Sequence, residues 1–209
     1  MAGSGTGTRA TGASFSTGLV TGPLVEPVTL AELKLHLRLG TDTTEDTMLA
    51  ALIVAARDYV ETVTRRALIT QTWDYWLEKF PGEDYFDVPL GNLQSVTSLK
   101  YKDSDGTETT MTVTTEYLVD INSDPGRIFL PYGETWPSFT AYPYKPITLR
   151  FICGYGSSAS SVPDPIKVAI KILASHFYEN RELVNPGAEL KEIPMSVDSL
   201  LATYRLWKF

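Results

Sequence analysis

Hydrophobic residues change their spacing twice along this chain. Between Leu30 and Val63, and again between Ile166 and Tyr204, apolar positions recur every three to four residues, as in helices with one buried face. Between Leu68 and Cys153 the repeat shortens to two, and β-branched and aromatic residues become frequent, which favours strands. The pattern predicts two helices, then a β-rich segment, then two further helices.

The first two helices have recognisable boundaries. Thr29–Glu32 matches a capping box, in which the threonine hydroxyl accepts from a free N–H and the glutamate reaches back, and Gly40 supplies a stop. The second helix is predicted to begin at a similar pattern, Thr43 with Asp46, and to run for about five turns to Arg65. Its predicted buried stripe comprises Leu49, Leu52, Ile53, Ala56, Val60 and Val63.

Turn signals divide the β-rich segment into strands. Asp105-Gly106 is typical of a hairpin because glycine accepts the positive φ of a primed turn, and Asp124-Pro125-Gly126 marks another turn. The stretch from Tyr132 to Pro146 is rich in proline and is predicted to be an irregular loop. The predicted strands are Ile69–Phe80, Phe86–Leu90, Val96–Lys102, Thr109–Val113, Tyr117–Ile121, Arg127–Leu130 and Ile147–Cys153.

Helical spacing returns in the last quarter of the chain. Asp164 is the expected N-cap of the third helix and Pro165 its first residue, a position that tolerates a missing N–H. A short amphipathic segment follows the polar loop at Asn185-Pro186-Gly187. The buried positions are predicted to be Ile166, Ile170, Leu173, Ala174 and Phe177, and then Val197, Leu200, Leu201 and Tyr204.

This order of elements predicts an α+β fold. The N- and C-terminal helices, in residues 25–67 and 162–209, are expected to form a small helical bundle, with an antiparallel β subdomain inserted at residues 68–161. Residues 1–24 are predicted to be a flexible arm, because their glycine, serine and threonine bury too little apolar surface to offset the entropy of ordering. If the arm is ordered, a neighbouring chain is expected to hold it.

Composition limits the classes of function. The chain has 209 residues, of which 43% are hydrophobic, and it contains no apolar run long enough to span a membrane and no signal-peptide layout, so we expect it to stay in the cytoplasm where it is made. Its single cysteine, Cys153, cannot form an internal disulfide and lies in an apolar strand, which favours buried packing. The net charge of −7 argues against binding to nucleic-acid phosphates.

No catalytic or metal-binding motif is present in the sequence. His36 and His176 are far apart and lack the spacing of zinc ligands, and no nucleophile elbow or phosphate-binding loop is found. We therefore expect no enzymatic activity and no cofactor. Glu83, Asp84 and Asp87 lie near aromatic residues and could be interpreted as the carboxylates of a sugar-binding cleft, but their close spacing in a turn favours solvated loop charges.

Aromatic residues are concentrated in two places that suggest contacts with other proteins. The chain ends on an aromatic and basic segment whose residue types are common interface anchors. The predicted loop from Tyr132 to Pro146 also carries aromatics that we expect to be packed or bound. The candidate residues are Tyr204, Arg205, Leu206, Trp207 and Phe209 at the C-terminal end, and Trp136, Phe139, Tyr142 and Tyr144 in the loop.

Several segments, in their order and spacing, resemble the head-tail connector, or adaptor, proteins of tailed bacteriophages and gene transfer agents. These segments are Thr29–Lys34, Ala55–Glu61, Asp124–Ile128, Phe151–Gly156 and His176–Glu182, and the resemblance extends from Val25 to Phe209. It implies a non-enzymatic structural protein of the virion neck, assembled in the host cytoplasm into a ring, with twelve copies expected. The ring would lie under the portal, extend the DNA channel and provide a seat for the stopper or tail proteins.

The same resemblance assigns roles to the candidate residues. The C-terminal segment of the family commonly attaches to the portal, which points here to Val197–Phe209, and the aromatic loop becomes a candidate contact with another subunit or with the tail. DNA would pass through the channel without specific binding. The alternatives are a stopper or tail-completion protein of the same neck and, from another class, a carbohydrate-binding β module that uses the aromatic and acidic residues.

Overall fold

The order of secondary structure elements confirms the predicted α+β fold. The structure is a computed structural model that describes residues 15–180 and 195–206. The helices are α1 (Leu30–Leu37), α2 (Asp46–Thr64), α3 (Asp164–Glu179) and α4 (Met195–Leu201), with short 3-10 turns at Ala159–Ser161 and Ala202–Tyr204. The strands are β1 (Phe15–Thr21), β2 (Gln71–Leu77), β3 (Tyr85–Asp87), β4 (Leu93–Lys102), β5 (Glu108–Met111), β6 (Leu118–Asp120), β7 (Arg127–Phe129) and β8 (Ile147–Cys153).

The four helices pack around one apolar core. The predicted stripe of α2 is buried at Leu49, Ile53, Ala56 and Val60, and it faces Ile166, Ile170 and Leu173 of α3 together with Val197 and Leu201 of α4. Burial of these stripes removes apolar surface from water and is the main favourable contribution to the stability of the bundle. Among the described residues, no helix is both long and apolar enough to cross a membrane.

The capping box of α1 is confirmed. The backbone N–H of Glu32 donates to Thr29 Oγ1 at 3.2 Å, and the Thr29 N–H donates to Glu32 Oε2 at 2.7 Å. The helix ends at Leu37, three residues before Gly40, because Arg38 already adopts the left-handed conformation with φ of 58°.

Two other predicted helix starts are wrong, one by two residues and the other by one. The N-cap of α2 is Glu45, and no side-chain capping bond forms there. The preceding loop is instead closed by Asp42, whose Oδ1 accepts from the Thr44 N–H at 2.9 Å. Asp164 is the first residue of α3, and Pro163 is its N-cap.

The β-rich segment forms two antiparallel sheets. One has the order β1-β2-β8-β4-β5 and the other has the order β3-β7-β6. Every predicted strand is present, most with shorter bounds, and β8 has the bounds that the sequence predicts. The alternating positions Ile147, Leu149, Phe151 and Cys153 of β8 have no exposed surface, so this central strand forms the middle of a second apolar core.

The expectation of a flexible arm over residues 1–24 is wrong for its C-terminal part. Phe15–Thr21 forms β1, which pairs antiparallel with β2 of the same chain, so no neighbouring chain is needed to hold it. A Cβ atom at Gly18 would lie 2.5 Å from Trp76 Cη2, so the indole covers this glycine. Residues 1–14 lie outside the described residues.

We expect Leu149→Ala to lower the free energy of unfolding by about 2 to 5 kcal/mol, because the substitution leaves a cavity at a position with no exposed surface. Urea unfolding would measure the change. Val113→Ala is the matched control, since Val113 is 49% exposed and its loss should cost little. Equal effects of the two variants would contradict the assignment of β8 to the centre of the core.

Candidate functional site

The C-terminal end of α2 is where the helices, the sheets and the C-terminal segment meet. Arg65 caps the helix in the left-handed conformation with φ of 56°, which turns the chain so that the next side chain, that of Arg66, enters the interior. Arg66 is only 8% exposed. A Cβ at Gly91 would lie 2.8 Å from Arg66 Nη1, so the absence of a side chain at Gly91 leaves room for the guanidinium.

The guanidinium of Arg66 contacts three segments that are distant in sequence. Its Nε donates to the Tyr204 carbonyl oxygen at 2.6 Å, and its Nη1 donates to Asn92 Oδ1 at 2.9 Å. Its Nη2 forms an ion pair with Asp124. A buried cation is stable only when it is paired and hydrogen-bonded, and these contacts supply both.

The C-terminal segment is held against the end of α2. Val197 and Leu201 of α4 have no exposed surface and lie in the helical core. Beyond α4, the Leu206 N–H donates to the Thr64 carbonyl oxygen at 3.0 Å, and Arg205 Nη2 donates to Asp198 Oδ1 at 2.8 Å.

The candidate docking residues therefore divide into two groups. Tyr204, Arg205 and Leu206 lie together, are partly buried, and contact residues of their own chain. Trp207 and Phe209 lie outside the described residues.

The aromatic loop between β7 and β8 also divides into two parts. Trp136 stacks on Phe80 with ring centroids 4.8 Å apart and an interplanar angle of 5°, and its Nε1 donates to the Glu83 carbonyl oxygen at 2.8 Å. Phe139 packs on Tyr101 with ring centroids 4.7 Å apart. These two candidate contact residues thus pack within the chain itself.

Tyr142 and Tyr144 remain accessible, with 38% and 68% exposure. Each ring has a lysine over it: Lys102 Nζ lies 5.5 Å from the Tyr142 centroid, and Lys145 Nζ lies 5.2 Å from that of Tyr144. Of the candidate loop residues, these two are the ones that the fold leaves available for another protein.

One exposed aromatic was missed by the sequence analysis. Tyr132 is fully exposed at the tip of a turn in which the Glu134 N–H donates to the Pro131 carbonyl oxygen at 3.1 Å. Gly133 has a φ of 85°, the positive value that the third residue of a type II turn adopts and that favours glycine. The Pro131-Tyr132-Gly133 sequence carried this signal, which the assignment of the whole stretch to an irregular loop concealed.

A buried carboxylate lies one turn before the end of α2. Glu61 Oε2 accepts from Arg57 Nη1 at 2.9 Å, and Glu61 Oε1 accepts from the Leu68 N–H and from Gln71 Nε2, each at 2.8 Å. Burial raises the pKa of Glu61, whereas the Leu68 N–H and Arg57 favour its ionised form. The network joins α2 to the first residue of β2. Because both carboxylate oxygens already accept hydrogen bonds from the protein, we assign Glu61 a structural role.

The described residues offer little to catalysis or to sugar binding. They contain no group of three or more His, Cys, Asp or Glu side chains that could hold a metal ion. Glu83 and Asp84 are exposed, and Asp87 pairs with Arg127 at 2.9 Å. A cavity of about 380 Å³ is lined by Trp76, Tyr142 and Tyr144, but Lys145 Nζ lies 3.3 Å from the Trp76 centroid and covers the ring face that a sugar would need.

The similarity to known proteins agrees with the resemblance found in the sequence. Residues 27–124 match the family model described as phage gp6-like head-tail connector protein. A search of curated proteins gives no significant match.

Solved structures resemble almost the whole chain. A protein in the neck of an empty GTA particle, computed with C6 symmetry, superposes with a TM-score of 0.76 at 26% identity, covering 93% of this chain and 97% of that one. A protein in the virion of a native gene transfer agent (GTA) particle gives a TM-score of 0.74 at 27% identity, covering 92% and 96%. A third, from the neck of a native GTA particle computed with C12 symmetry, shares the fold at 23% identity and a TM-score of 0.69, covering 93% and 97%. The resemblance of this chain to head-tail connector proteins is therefore confirmed.

We expect Cys153 to resist alkylation in the folded protein at pH 8, because burial raises the pKa of its thiol to about 12 and the residue has no exposed surface. Mass spectrometry after treatment with iodoacetamide would measure the labelled fraction, and urea-unfolded protein is the control that should label fully. Rapid labelling of the native protein would contradict the buried assignment of β8.

Proposed function

We propose that this protein is a structural component of the virion neck, located at the head-tail interface. Its copies form a ring, of twelve subunits, that joins the capsid portal to the stopper or tail and extends the DNA channel. The observation that supports this most directly is the superposition on the protein from the neck of the GTA particle, which includes 93% of this chain. The match of residues 27–124 to a head-tail connector family supports the same role independently of the fold.

The C-terminal segment is the proposed attachment to the portal. Tyr204, Arg205 and Leu206 are partly buried at the end of α2, and Trp207 and Phe209 lie within the next three residues of the sequence. Aromatic residues and arginine dominate interface anchors because they bury large areas and, for arginine, form several hydrogen bonds. The exposed Tyr142 and Tyr144, together with Tyr132, are the proposed contacts with a neighbouring subunit or with the tail.

Two alternatives remain distinguishable by experiment. A stopper or tail-completion protein would occupy the next ring of the neck and would bind the adaptor instead of the portal. A carbohydrate-binding module is disfavoured because Lys145 covers Trp76 and because Trp136 is stacked on Phe80. An electron-microscopy reconstruction of the virion neck in which this chain is located would separate the two neck positions.

Removal of residues 207–209 should abolish co-sedimentation with portal rings. The deletion leaves the Leu206 N–H to Thr64 bond and all of α4 in place, so we expect the midpoint of thermal unfolding to change by less than about 2 °C. Tyr85→Ala is the control for loss of an exposed aromatic elsewhere in the chain, because Tyr85 is 40% exposed and has no proposed role in binding. Retained portal binding together with a midpoint several degrees lower would mean that these residues complete the helical core, and would contradict the proposed attachment.

The free protein should bind duplex DNA weakly or not at all at physiological salt. The net charge of −7 repels phosphates, and several basic side chains on the sheets are already paired with carboxylates, as in Arg150 with Asp74 and Lys100 with Glu108. A mobility-shift assay would test this. A dissociation constant below micromolar, with affinity that falls steeply as salt rises, would contradict the proposal that DNA passes through the channel without binding.

A further inference from the structure

We propose that Arg66 is the positioning residue of the C-terminal segment and that Asp124, in the β subdomain, controls this positioning. The inference rests on the proposed function for its biological purpose, since the segment in question is the proposed attachment to the portal. The contacts that carry it belong to the isolated chain and can be tested without any partner.

The first step is the charge of the guanidinium. Arg66 is 8% exposed, and Asp124 is the carboxylate with which it forms an ion pair. Removing one partner of such a pair leaves a charge in a poorly solvated place, and the group then moves toward water or draws water in. Asp124 therefore fixes the position of the guanidinium, although it does not touch the C-terminal segment in any of the contacts described above.

The second step is the geometry of the guanidinium. Its donors form a rigid planar fork, so the orientation that places Nη2 at Asp124 and Nη1 at Asn92 also directs Nε at the Tyr204 carbonyl oxygen. Lysine has a single point of charge and cannot make these contacts in the same directions. The bond to Tyr204, at 2.6 Å, depends on the other two.

The third step is the consequence for the chain beyond Tyr204. The Leu206 N–H bonds to the Thr64 carbonyl oxygen, so the segment is fixed at both Tyr204 and Leu206 against the last turn of α2. Trp207 begins one residue beyond this second bond. When the first residues of a segment are already held in place before it binds, less conformational entropy is lost on binding. The affinity therefore rises without any new contact.

Asp124→Asn, made in the full chain, tests the proposal. Hydrogen exchange of the Leu206 amide is compared with that of the Leu173 amide, which lies in the helical core. We expect the exchange rate of Leu206, divided by that of Leu173, to rise about tenfold, as is typical when a hydrogen bond to a charged group is lost. An unchanged ratio, with or without a general loss of stability, would overturn the proposal.

Asp87→Asn is the matched control. Asp87 of β3 forms an ion pair with Arg127 of β7, in the three-stranded sheet whose β6–β7 connection contains Asp124. Its side chain is 49% exposed, close to the 44% of Asp124. In this control the ratio of exchange rates should stay within about twofold of the wild-type value. Arg66→Lys is the second variant: it retains the charge and should still raise the ratio, and normal Leu206 protection in it would contradict the role of the planar fork.

Portal co-sedimentation separates this inference from the proposed function. We expect Asp124→Asn to weaken binding to portal rings about tenfold, in proportion to the loss of Leu206 protection. Loss of protection with unchanged portal affinity would overturn the positioning role. If the wild-type protein itself fails to bind portal rings, the proposed function is contradicted, and the exchange ratio alone decides whether Arg66 and Asp124 hold the segment.

Discussion

The buried cation at the end of α2 is the constraint on which the arrangement of this molecule depends. Arg66 is charged under all ordinary conditions and is almost wholly removed from water, so its partners must be present whenever the chain is folded. Those partners are Asn92, Asp124 and Tyr204, which lie 26, 58 and 138 residues away in sequence. A single side chain thus requires that the helices, both parts of the β subdomain and the C-terminal segment meet at one point.

Glu61, one turn before the end of α2, forms a second polar network at the same end of the helix. Its carboxylate is largely buried and accepts from Arg57, from the Leu68 backbone and from Gln71, so the helix is joined to β2 by bonds that water cannot easily replace. The chain passes from one apolar core to the other next to this junction, since Ala67 belongs to the core of the sheets and Leu68 to the core of the helices. In the proposed neck ring, such a junction would keep the β subdomain in a fixed orientation relative to the helices while other proteins bind at either end.

The sequence predicted that aromatic residues would form the candidate site, but not which of them would be exposed. The sequence indicates that Trp136, Phe139, Tyr142 and Tyr144 occupy one loop, but an aromatic side chain serves equally well in a core and in an interface. The packing of Trp136 on Phe80 and of Phe139 on Tyr101 leaves these two only partly exposed. The sequence Pro131-Tyr132-Gly133 indicates the turn at Tyr132, but the full exposure of this tyrosine depends on how the turn projects from the sheets.

The α+β class, the capping box of α1, the buried stripes of α2 and α3, and the bounds of β8 all follow from local sequence patterns. These features are local, because they follow from hydrogen bonds within a few residues and from the repeat that places apolar side chains on one face. That Phe15–Thr21 is a strand depends on the tertiary structure: the segment contains Phe15, Leu19, Val20 and two threonines, which favour strands, but such a short strand becomes ordered only when β2 offers its edge. The tertiary structure also buries Arg66: an arginine just beyond the end of a helix is normally solvated, and the burial of this one depends on partners that the chain brings together only when it folds.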